Sequence, residues 1–447
     1  MDAPPPVDRL EPRPQDSVAP PGLVSLEGIH RTVEVPSDRG GFWQNWRAFV
    51  GPALLVSVGY MDPGNWGTDL QAGAQFKYGL LWVVGVASLM AIFMQVIAAR
   101  LGVATGKDLA QCCRDWYPQW MRWPNWLLCE IAIGACDLAE VLGSAVALNL
   151  LFHIPLLWAV IITGFDVLLL LALQRFSVRS IEAVILVLVG TIALCYYIEI
   201  FILPQTQPSL LEMGGALISP GFRQAGMVYL AIGIIGATVM PHNLYLHSAL
   251  VQSRSFTRDA PSLARAIRFN TIDTAAALSV AFFVNAAILV LAAIVFFGKD
   301  SVVVPGGGVV KFDDNTDWIR VAYLTLAPLL GTALASILFA VGLFASGQSS
   351  TITGTLAILP AVFIIGIRGN SSVTDLLNLS QVVLALQLPL AMFPLMHFTS
   401  SSRRMGKWRN GWFLLIAGWG SALLITALDV YGLPDSLKQG WHVITGG

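Results

Sequence analysis

Long apolar runs constrain the fold of this chain more than any other feature of its sequence. They recur from Phe49 to Leu433, and a helix needs about 20 such residues to cross the hydrocarbon core of a bilayer. Inside that core every backbone N–H and C=O group must be satisfied within the protein, so only helices and closed barrels span it. Because the runs have the length of helices, the sequence predicts an all-α integral membrane protein.

About eleven crossings are expected. The composition agrees, because the chain is 55% hydrophobic and only 12% charged, whereas soluble proteins average about 25% charged residues. The five cysteines show no paired metal-ligand spacing and are expected to act as small apolar side chains. The predicted limits of the crossings are 49–77, 79–104, 123–150, 155–174, 179–203, 225–251, 268–297, 321–347, 351–367, 372–397 and 411–432.

The first 48 residues are rich in proline and charge and lack an apolar period. This composition is typical of a disordered tail. Most of the 26 Lys and Arg residues lie in the tail and in alternate loops, so the positive-inside rule predicts that the tail is cytoplasmic. No cleavable signal peptide is recognised. The expected location is the plasma or inner membrane.

Prolines interrupt two of the apolar runs, within residues 62–65 and 237–242. Proline removes a backbone donor and clashes with the preceding turn, so each helix is expected to break there. In a bilayer such a break survives only where protein or a water-filled cavity satisfies the freed backbone groups. Each break opens a possible five-helix block, 49–203 or 225–397, and because five is odd the second block would be inverted. The two breaks are therefore predicted to meet near the bilayer centre, with the eleventh crossing, 411–432, outside the repeat.

Both breaks carry side chains that can bind a metal ion. Asp62 and Asn65 offer hard oxygen atoms, whereas Met240 offers a soft sulfur. Calcium and magnesium prefer oxygen ligands throughout, and a thioether favours softer transition metals. The set therefore predicts Mn²⁺, Fe²⁺ or a neighbouring ion. Two plainer interpretations remain open, since Met240 can simply pack against apolar groups and Asp62 can cap the broken helix.

Ionisable groups in the third and sixth crossings point to proton movement. Glu130, Asp137 and Glu140 lie in the third crossing, and Asp137 and Glu140 are three residues apart on one helix face. An unpaired acid in lipid costs several kcal/mol, so these groups should face a polar corridor. His242 and His247 follow the second break, and histidine changes charge near the pH at which a transporter works. The alternative is a static hydrogen-bond network that joins the two crossings.

Several separated motifs resemble the signatures of the NRAMP family, whose members are proton-coupled importers of divalent transition metals with a LeuT-like fold. The motifs are residues 59–65, 137–140, 236–243, 348–350 and 380–381. The resemblance covers essentially everything after residue 48. It implies a LeuT-like arrangement of two inverted five-helix repeats in which helices 1 and 6 are broken.

The resemblance also implies residue roles. The implied metal ligands are Asp62, Asn65, Met240, the Ala237 carbonyl in one conformation, the Gly59 carbonyl in another, and Gln381 when the site closes. The implied proton relay consists of Asp62, His242 and Glu140, with Asp137 as a further step, and Glu130 and His247 are additional candidates from the residues themselves. Family members that carry magnesium or aluminium lack the methionine that this chain keeps.

One segment departs from the family pattern. Family members continue after the stretch at 354–357 with a cytoplasmic loop and an arginine pair that opens the ninth helix. In this chain Ala357 runs directly into residues 358–360, so that loop and those arginines are absent. The ninth crossing, 351–367, is therefore expected to be short or distorted.

Taken with the resemblance, the sequence predicts a secondary transporter that imports divalent transition metals with protons by alternating access. Its expected partners are metal ions, protons and the lipid bilayer, with no nucleic acid and no resident cofactor, and no enzymatic site is recognised. Two alternatives stay open at this point. One is a metal-selective channel, and the other is a sodium-coupled carrier of organic solutes with the same fold. The oligomeric state is not specified by the sequence.

Overall fold

The computed structural model describes residues 33–35, 41–163, 178–198, 208–224, 226–303, 309–312, 316–330, 337, 343 and 373–445. The helices along the predicted crossings are α2 (Pro52–Gly59), α3 (Pro63–Phe76), α4 (Leu81–Thr105), α6 (Gln119–Phe152), α7 (Val178–Tyr197), α9 (Met227–Val239), α10 (Pro241–Leu250), α11 (Ala260–Phe296), α12 (Trp318–Leu330), α13 (Val373–Ser400) and α15 (Trp412–Thr445). Like α2, which has eight residues, the helices α1 (Phe42–Phe49), α5 (Leu109–Trp116) and α8 (Leu210–Leu217) are short, and α14 (Ser402–Met405) has four residues. The strands β1 (Val33–Glu34) and β2 (Arg254–Ser255) are parallel, whereas β3 (Ser301–Val303) and β4 (Val309–Lys311) are antiparallel.

Six helices within the described part of the chain are long and apolar enough to cross a membrane. They are α4, α6, the α9–α10 pair, α11, α13 and α15. The predicted first crossing is also present as α2 and α3, so the all-α membrane fold is confirmed. The predicted crossing at 351–367, and most of the one at 321–347 beyond residue 330, lie outside the described residues. Residues 156–163 are helical, and the rest of the predicted crossing at 155–174 lies outside as well.

Both predicted helix breaks are present. The first helix stops at Gly59 and resumes at Pro63, and Asp62 caps the new helix by accepting a hydrogen bond from the backbone N–H of Asn65. The second stops at Val239 and resumes two residues later, which leaves a single residue between α9 and α10. Pro63 and its counterpart at 241 take the first helical position, where a missing N–H costs nothing.

The first break is held in the centre of the helix bundle. α3 packs along α11 and also contacts α6, α9, α12 and α13. Its largest buried side chain, Trp66, lies against Tyr196 of α7 with ring centroids 5.2 Å apart. Both rings are buried, so α3, the second half of the first helix, is fixed on several sides by apolar contact.

Part of the predicted disordered tail is folded, so the prediction for residues 1–48 is wrong for two segments. β1 pairs with β2, and α1 forms over eight residues. Phe42 and Phe49 of α1 lie 5.6 Å and 5.7 Å from Phe269 of α11, measured between ring centroids. The aromatic residues just before the first crossing supply apolar contacts that the proline-rich average composition hides. Residues 1–32 and 36–40 lie outside the described part of the chain.

The same region joins the start of the first broken helix to the end of the second, on the side of the protein that carries the tail. Arg254, just after α10, is buried and donates hydrogen bonds to the carbonyls of Ala48 and Val50. Asp273 of α11 accepts a bond of 3.1 Å from the N–H of Ala53 and so satisfies the start of α2. The start of the first helix is thus tied to the end of the sixth.

The last helix is longer than its predicted crossing. α15 continues from residue 412 to residue 445 and contains Pro434, whereas the apolar run predicted a crossing at 411–432. Polar residues such as Asp435 and Lys438 end the apolar run without ending the helix. The helix is therefore longer than the apolar run from which the crossing was predicted.

Candidate metal-binding site

Asp62 combines a cap with an unused acceptor. Its side chain is fully buried, and its Oδ1 accepts bonds of 2.9 Å from the backbone N–H of Asn65 and 2.7 Å from the Asn65 amide. Its Oδ2 accepts no hydrogen bond from any described residue. One oxygen is therefore committed to capping α3, and the other is available to a ligand. The capping and ligand interpretations are compatible in this geometry.

The Asn65 amide joins the two breaks. Its Nδ2 donates to Asp62 Oδ1 and also, over 3.0 Å, to the carbonyl of Ala237 near the end of α9. Its Oδ1 accepts a bond of 3.2 Å from the amide of Asn285, which also donates to the carbonyl of Tyr60 over 2.8 Å. Because a carboxylate oxygen and a backbone carbonyl converge on one NH₂ group, they face a common point that suits positive charge.

Met240 lies at the second break in an unusual backbone conformation. Its φ of 45° is positive, and residues other than glycine adopt such values only when their surroundings enforce them. The side chain is fully buried, and its sulfur accepts a bond of 3.2 Å from the Asn243 amide. A Cβ added to Gly59 would lie 3.2 Å from the same sulfur. The thioether therefore lies against the first break and is buried within the protein.

Gln381 of α13 lies between the two breaks. A Cβ added to Gly64 would overlap its side-chain amide, and a Cβ added to Gly236 would overlap its backbone carbonyl. Glycine at these two positions lets α13 approach both broken helices. The Gln381 amide donates to Ser380 Oγ over 3.0 Å, whereas its Oε1 has no hydrogen-bond partner among the described residues. The side chain implied to join the metal on closure thus lies beside Gly64 at the first break with a free acceptor.

The Gly59 carbonyl is engaged in this conformation. It accepts a bond of 3.1 Å from the backbone N–H of Asp62 across the first break. A ligand role for it requires a different arrangement of the turn. That role therefore stays a prediction for another conformation.

Two of the predicted relay groups meet through a cysteine. The thiol of Cys136 donates to Glu140 Oε1 over 3.5 Å, and its sulfur lies 3.6 Å from His242 Nε2. Asp137 and Glu140 are both buried on α6. Cys136 was expected to act only as a small apolar side chain, and its position between an acid and a histidine adds a polar contact to that role.

His247 belongs to a second hydrogen-bond chain. Its Nδ1 lies 2.9 Å from Gln95 Oε1, and Gln95 Nε2 donates to the Tyr60 hydroxyl over 2.8 Å. That hydroxyl donates in turn to the carbonyl of Val239, at the end of α9, over 3.4 Å. Because a carbonyl oxygen cannot donate, the His247 Nδ1 carries the proton in this chain. His247 is thereby linked to the second break.

Glu130 is not part of either cluster. It is exposed on the first half of α6, and no hydrogen bond joins it to the other predicted relay groups within the described part of the chain. This half of α6 packs on few neighbours, and several apolar side chains there are exposed as well, including Trp126 and Leu127. The expectation that Glu130 faces a buried polar corridor is therefore not supported by its position.

Sequence reasoning missed several polar residues that complete the site. The amides of Gln95 and Asn285 and the hydroxyl of Tyr60 are buried and hold the ends of the broken helices. A signal was present, because Gln95 and Asn285 interrupt two of the most apolar helices in the chain. Polar residues inside membrane segments usually mark function.

The charge at the breaks comes from few groups. The ion pairs found among the described residues are Lys77–Glu212, Lys107–Asp115 and Arg114–Asp115, and all lie at the surface. Within the described ranges, no group of three His, Cys, Asp or Glu side chains could hold a metal ion. The site therefore offers one capping carboxylate, neutral oxygens, a thioether and the negative end of the α9 dipole. This suits an ion that binds and leaves better than a permanent structural metal.

The family model described as natural resistance-associated macrophage protein-like matches residues 53–359 and 355–435. Among curated relatives, the divalent metal cation transporter MntH of Nostoc sp. is 44% identical, over 94% of this chain and 98% of its own length. The protein of the same name from Mesorhizobium japonicum is 42% identical, over 92% of this chain and 94% of its own.

Solved structures agree with these relatives. A mutant of the Eremococcus coleocola manganese transporter superposes with a TM-score of 0.80 at 34% identity, and covers 94% of this chain and 95% of its own. A transporter of the nucleobase-cation-symport-1 family matches with a TM-score of 0.54 at 14% identity, over 93% and 96% of the two chains, which supports the shared fold alone. With the two helix breaks and the residues that join them, these matches show that the chain belongs to the Nramp family.

Proposed function

We propose that this protein imports divalent transition-metal ions across the plasma or inner membrane, with Mn²⁺ and Fe²⁺ as the expected cargo, in symport with protons. The observation that carries the proposal is the convergence of Asp62, Asn65 and the Ala237 carbonyl where the two helix breaks meet. The names of the relatives, a divalent metal cation transporter and a manganese transporter, support it. No resident cofactor is needed, because the metal is the cargo.

The ligand set explains the expected choice of metal. Asp62 provides a negative oxygen, Asn65 and Ala237 provide neutral oxygens, and Met240 provides a soft sulfur beside them. A calcium ion gains little from a thioether, whereas a first-row transition metal accepts it. Met240 is therefore proposed to favour Mn²⁺ and Fe²⁺ over Ca²⁺.

Alternating access follows from the broken helices. In carriers of this fold the two repeats rock about a site at the bilayer midplane, and the half-helix ends contact the cargo. We expect the metal to replace the Asn65 amide hydrogens between Asp62 and the Ala237 carbonyl as it sheds water. The free Oε1 of Gln381 then completes the closed site.

Protons are proposed to follow a separate path on the third helix. The Cys136 thiol joins His242 to Glu140, and Asp137 lies on the same helix within one turn. A proton released from Asp62 or His242 can therefore pass to Glu140 and then to Asp137. The inner end of this path lacks the arginine pair of other family members, and the segment that replaces it, 354–360, lies outside the described residues.

The tail is proposed to lie in the cytoplasm. Lys and Arg residues accompany it and the loops on its side, including Arg254 beside β1. This arrangement places α2 and α10 in the inner half of the membrane and α3 and α9 in the outer half.

Uptake of Mn²⁺ by proteoliposomes across an inward pH gradient tests the proposal. The wild type should accumulate Mn²⁺ with saturable kinetics, whereas Asp62→Ala should not, and Met240→Ala should keep transport but lose preference for Mn²⁺ over Ca²⁺. Asp115→Asn, a change to an acid at the protein surface, is the matched control. Undiminished uptake by Asp62→Ala would contradict the site assignment. Uptake that does not saturate would favour a channel, and dependence on sodium would favour the organic-solute carrier.

A further inference from the structure

A second acid of the outer half-helix is as buried as Asp62 and is explained by none of the contacts above. Asp69 lies one helical turn after Asn65 and two turns after Asp62, so the three side chains share one side of α3. Its side chain is only 1% exposed, and neither carboxylate oxygen accepts a hydrogen bond from any described residue. Asp62, by contrast, accepts two bonds at its Oδ1.

The position of Asp69 along α3 explains why it lacks donors. Asn65, one turn before it, contacts Asn285 of α11, and Gly73, one turn after it, lies against the backbone at Leu289 of the same helix. Asp69 is therefore opposite the stretch between these contacts. Residues 286–288 of that stretch are Ala, Ala and Ile, which offer no side-chain donor.

Few charged groups face Asp69. The one that acts on it electrostatically is Asp62, which carries the same sign. From residue 274 to its end, α11 has no titratable side chain. The other helices that contact α3 also carry titratable residues, and these are Arg122, Cys129, Glu130, Cys136, Asp137 and Glu140 on α6, Tyr229 on α9, Arg320 and Tyr323 on α12, and Asp375 and His397 on α13.

Burying an ionised carboxylate without a donor or a cation costs several kcal/mol. The neighbouring negative charge of Asp62 adds to that cost. The packed arrangement of α3 against α11 is therefore compatible with a neutral Asp69, and it opposes an ionised one. When α3 moves outward and water reaches the side chain, the cost of ionisation falls.

We propose that Asp69 is a proton-binding site on the outer half of the first broken helix, and that its protonation permits α3 to close over the loaded metal site. The inference deepens the proposed function and rests on it. External acid adds a proton to the open form, and the O–H bond persists while the helix is closed. External alkali leaves the carboxylate ionised, and closure is then opposed by the burial of that charge. Uptake should accordingly fall as external pH rises.

The test compares Mn²⁺ uptake by wild type and Asp69→Asn in proteoliposomes over a series of external pH values. Asparagine has nearly the same shape and is always neutral, so it imitates the protonated acid. Well above its midpoint, the wild type should lose about tenfold in uptake rate per pH unit, as expected for one proton. Asp69→Asn should transport Mn²⁺ at acidic pH and lose less than about twofold per unit. Asp115→Asn should follow the wild-type profile.

Two results would overturn the inference. One is a normalised pH profile of Asp69→Asn that superimposes on the wild type, and the other is a uniform loss of uptake at every pH, which a purely structural role predicts. Failure of the wild type to transport any divalent metal would instead reject the proposed function. If Asp69→Asn does not fold, the infrared band of protonated carboxyl groups in closed, metal-loaded protein decides. That band should shift in Asp69→Glu, and an unchanged spectrum rejects the proposal.

Discussion

The two helix breaks differ in how their backbone is stabilised and in the proposed metal-binding atom that each contains. The first spans three residues, Tyr60 to Asp62, and caps itself, because Asp62 adopts extended backbone and accepts a hydrogen bond from the next helix. The second consists of Met240 alone, which has a positive φ and makes no side-chain cap. The first break is thus locally relaxed and carries the proposed hard, charged ligand. The second is strained and carries the proposed soft one.

The difference shows that the second break depends on the first. The Ala237 carbonyl is freed by the end of α9 and is satisfied by the Asn65 amide, and the Val239 carbonyl is satisfied by the Tyr60 hydroxyl. Both donors belong to the first break or its edge. A metal ion that takes the Ala237 carbonyl removes one of these two links. The proposed metal binding would therefore use the same carbonyl that now joins the two broken helices.

The largest effect is expected from Asp62→Asn, which separates capping from ligation. Asparagine is as good an N-cap as aspartate, so the free energy of unfolding should change by less than about 0.5 kcal/mol. Loss of the negative oxygen should weaken Mn²⁺ binding by about a hundredfold or more. Isothermal titration calorimetry and thermal unfolding in detergent measure the two quantities. If stability falls as much as affinity, the first break is not self-capped in the way described.

A pair of substitutions at Met240 should separate the proposed ligand role of its sulfur from the strain of its backbone. Met240→Ala and Met240→Gly both remove the sulfur, so both should lose the preference for Mn²⁺ over Ca²⁺ to the same degree. Only glycine tolerates the positive φ freely, so Met240→Gly should be more stable than Met240→Ala by about 1 kcal/mol. Competition of Ca²⁺ with Mn²⁺ uptake and thermal unfolding provide the readings. Equal stability of the two variants would show that the backbone at this residue is not strained.

Tyr60→Phe tests whether the second break relies on the first for its carbonyls. The substitution leaves the Val239 carbonyl and the Gln95 amide without the hydroxyl, and such buried groups cost about 1–3 kcal/mol when unpaired. The melting temperature should therefore fall. Tyr431→Phe, at an exposed tyrosine of α15, is the matched control and should change little. An unchanged melting temperature in Tyr60→Phe would indicate that water or another donor serves Val239.

The smallest effect is expected at the surface, where Asp115 gives a reference for the buried acids. The hydrogen bond from Lys107, and a weaker one from Arg114, hold the pKa of Asp115 below its usual range. The resulting stabilisation exists above the unfolded pKa and disappears as pH falls through the folded one, and screening keeps it to about 0.5 kcal/mol at most. Asp115→Asn should therefore unfold slightly below wild type at neutral pH and match it in acid. A difference in unfolding free energy between the two proteins that grows in acid would contradict a lowered pKa for Asp115.

Much of the fold could be predicted from the sequence, because the bilayer reduces the choice to helices and proline marks the breaks. Apolar runs located α4, α11 and α13 to within a few residues, apart from the polar first turns of α11. The amphipathic α1 was missed, since its aromatic residues follow a proline-rich segment whose composition suggests disorder. The exposed position of Glu130 was also missed, because spacing along a helix does not reveal which neighbours pack against it.

At the candidate site, the residue types at the breaks could be predicted from the sequence. The distant residues that form hydrogen bonds with them could not. Asp62 and Met240 stand beside prolines, which is a local signal. Gln95, Asn285 and Cys136 act through contacts with segments far away in sequence, and only the packed helices bring them together. The roles of these residues in binding and proton transfer stay predictions until the variants are measured.

The pairing of β1 with β2 has a consequence for the order in which the protein is made. The two strands are separated by the first six crossings, so a growing chain cannot join them until Arg254 and Ser255 have left the ribosome. Until then the amino-terminal segment has no partner strand, and the carbonyls of Ala48 and Val50 at the end of α1 lack their bonds from Arg254. The ends of the two broken helices on the tail side are therefore joined only after the second broken helix has been synthesised. The docking of the tail segment thus follows the synthesis of both helix breaks.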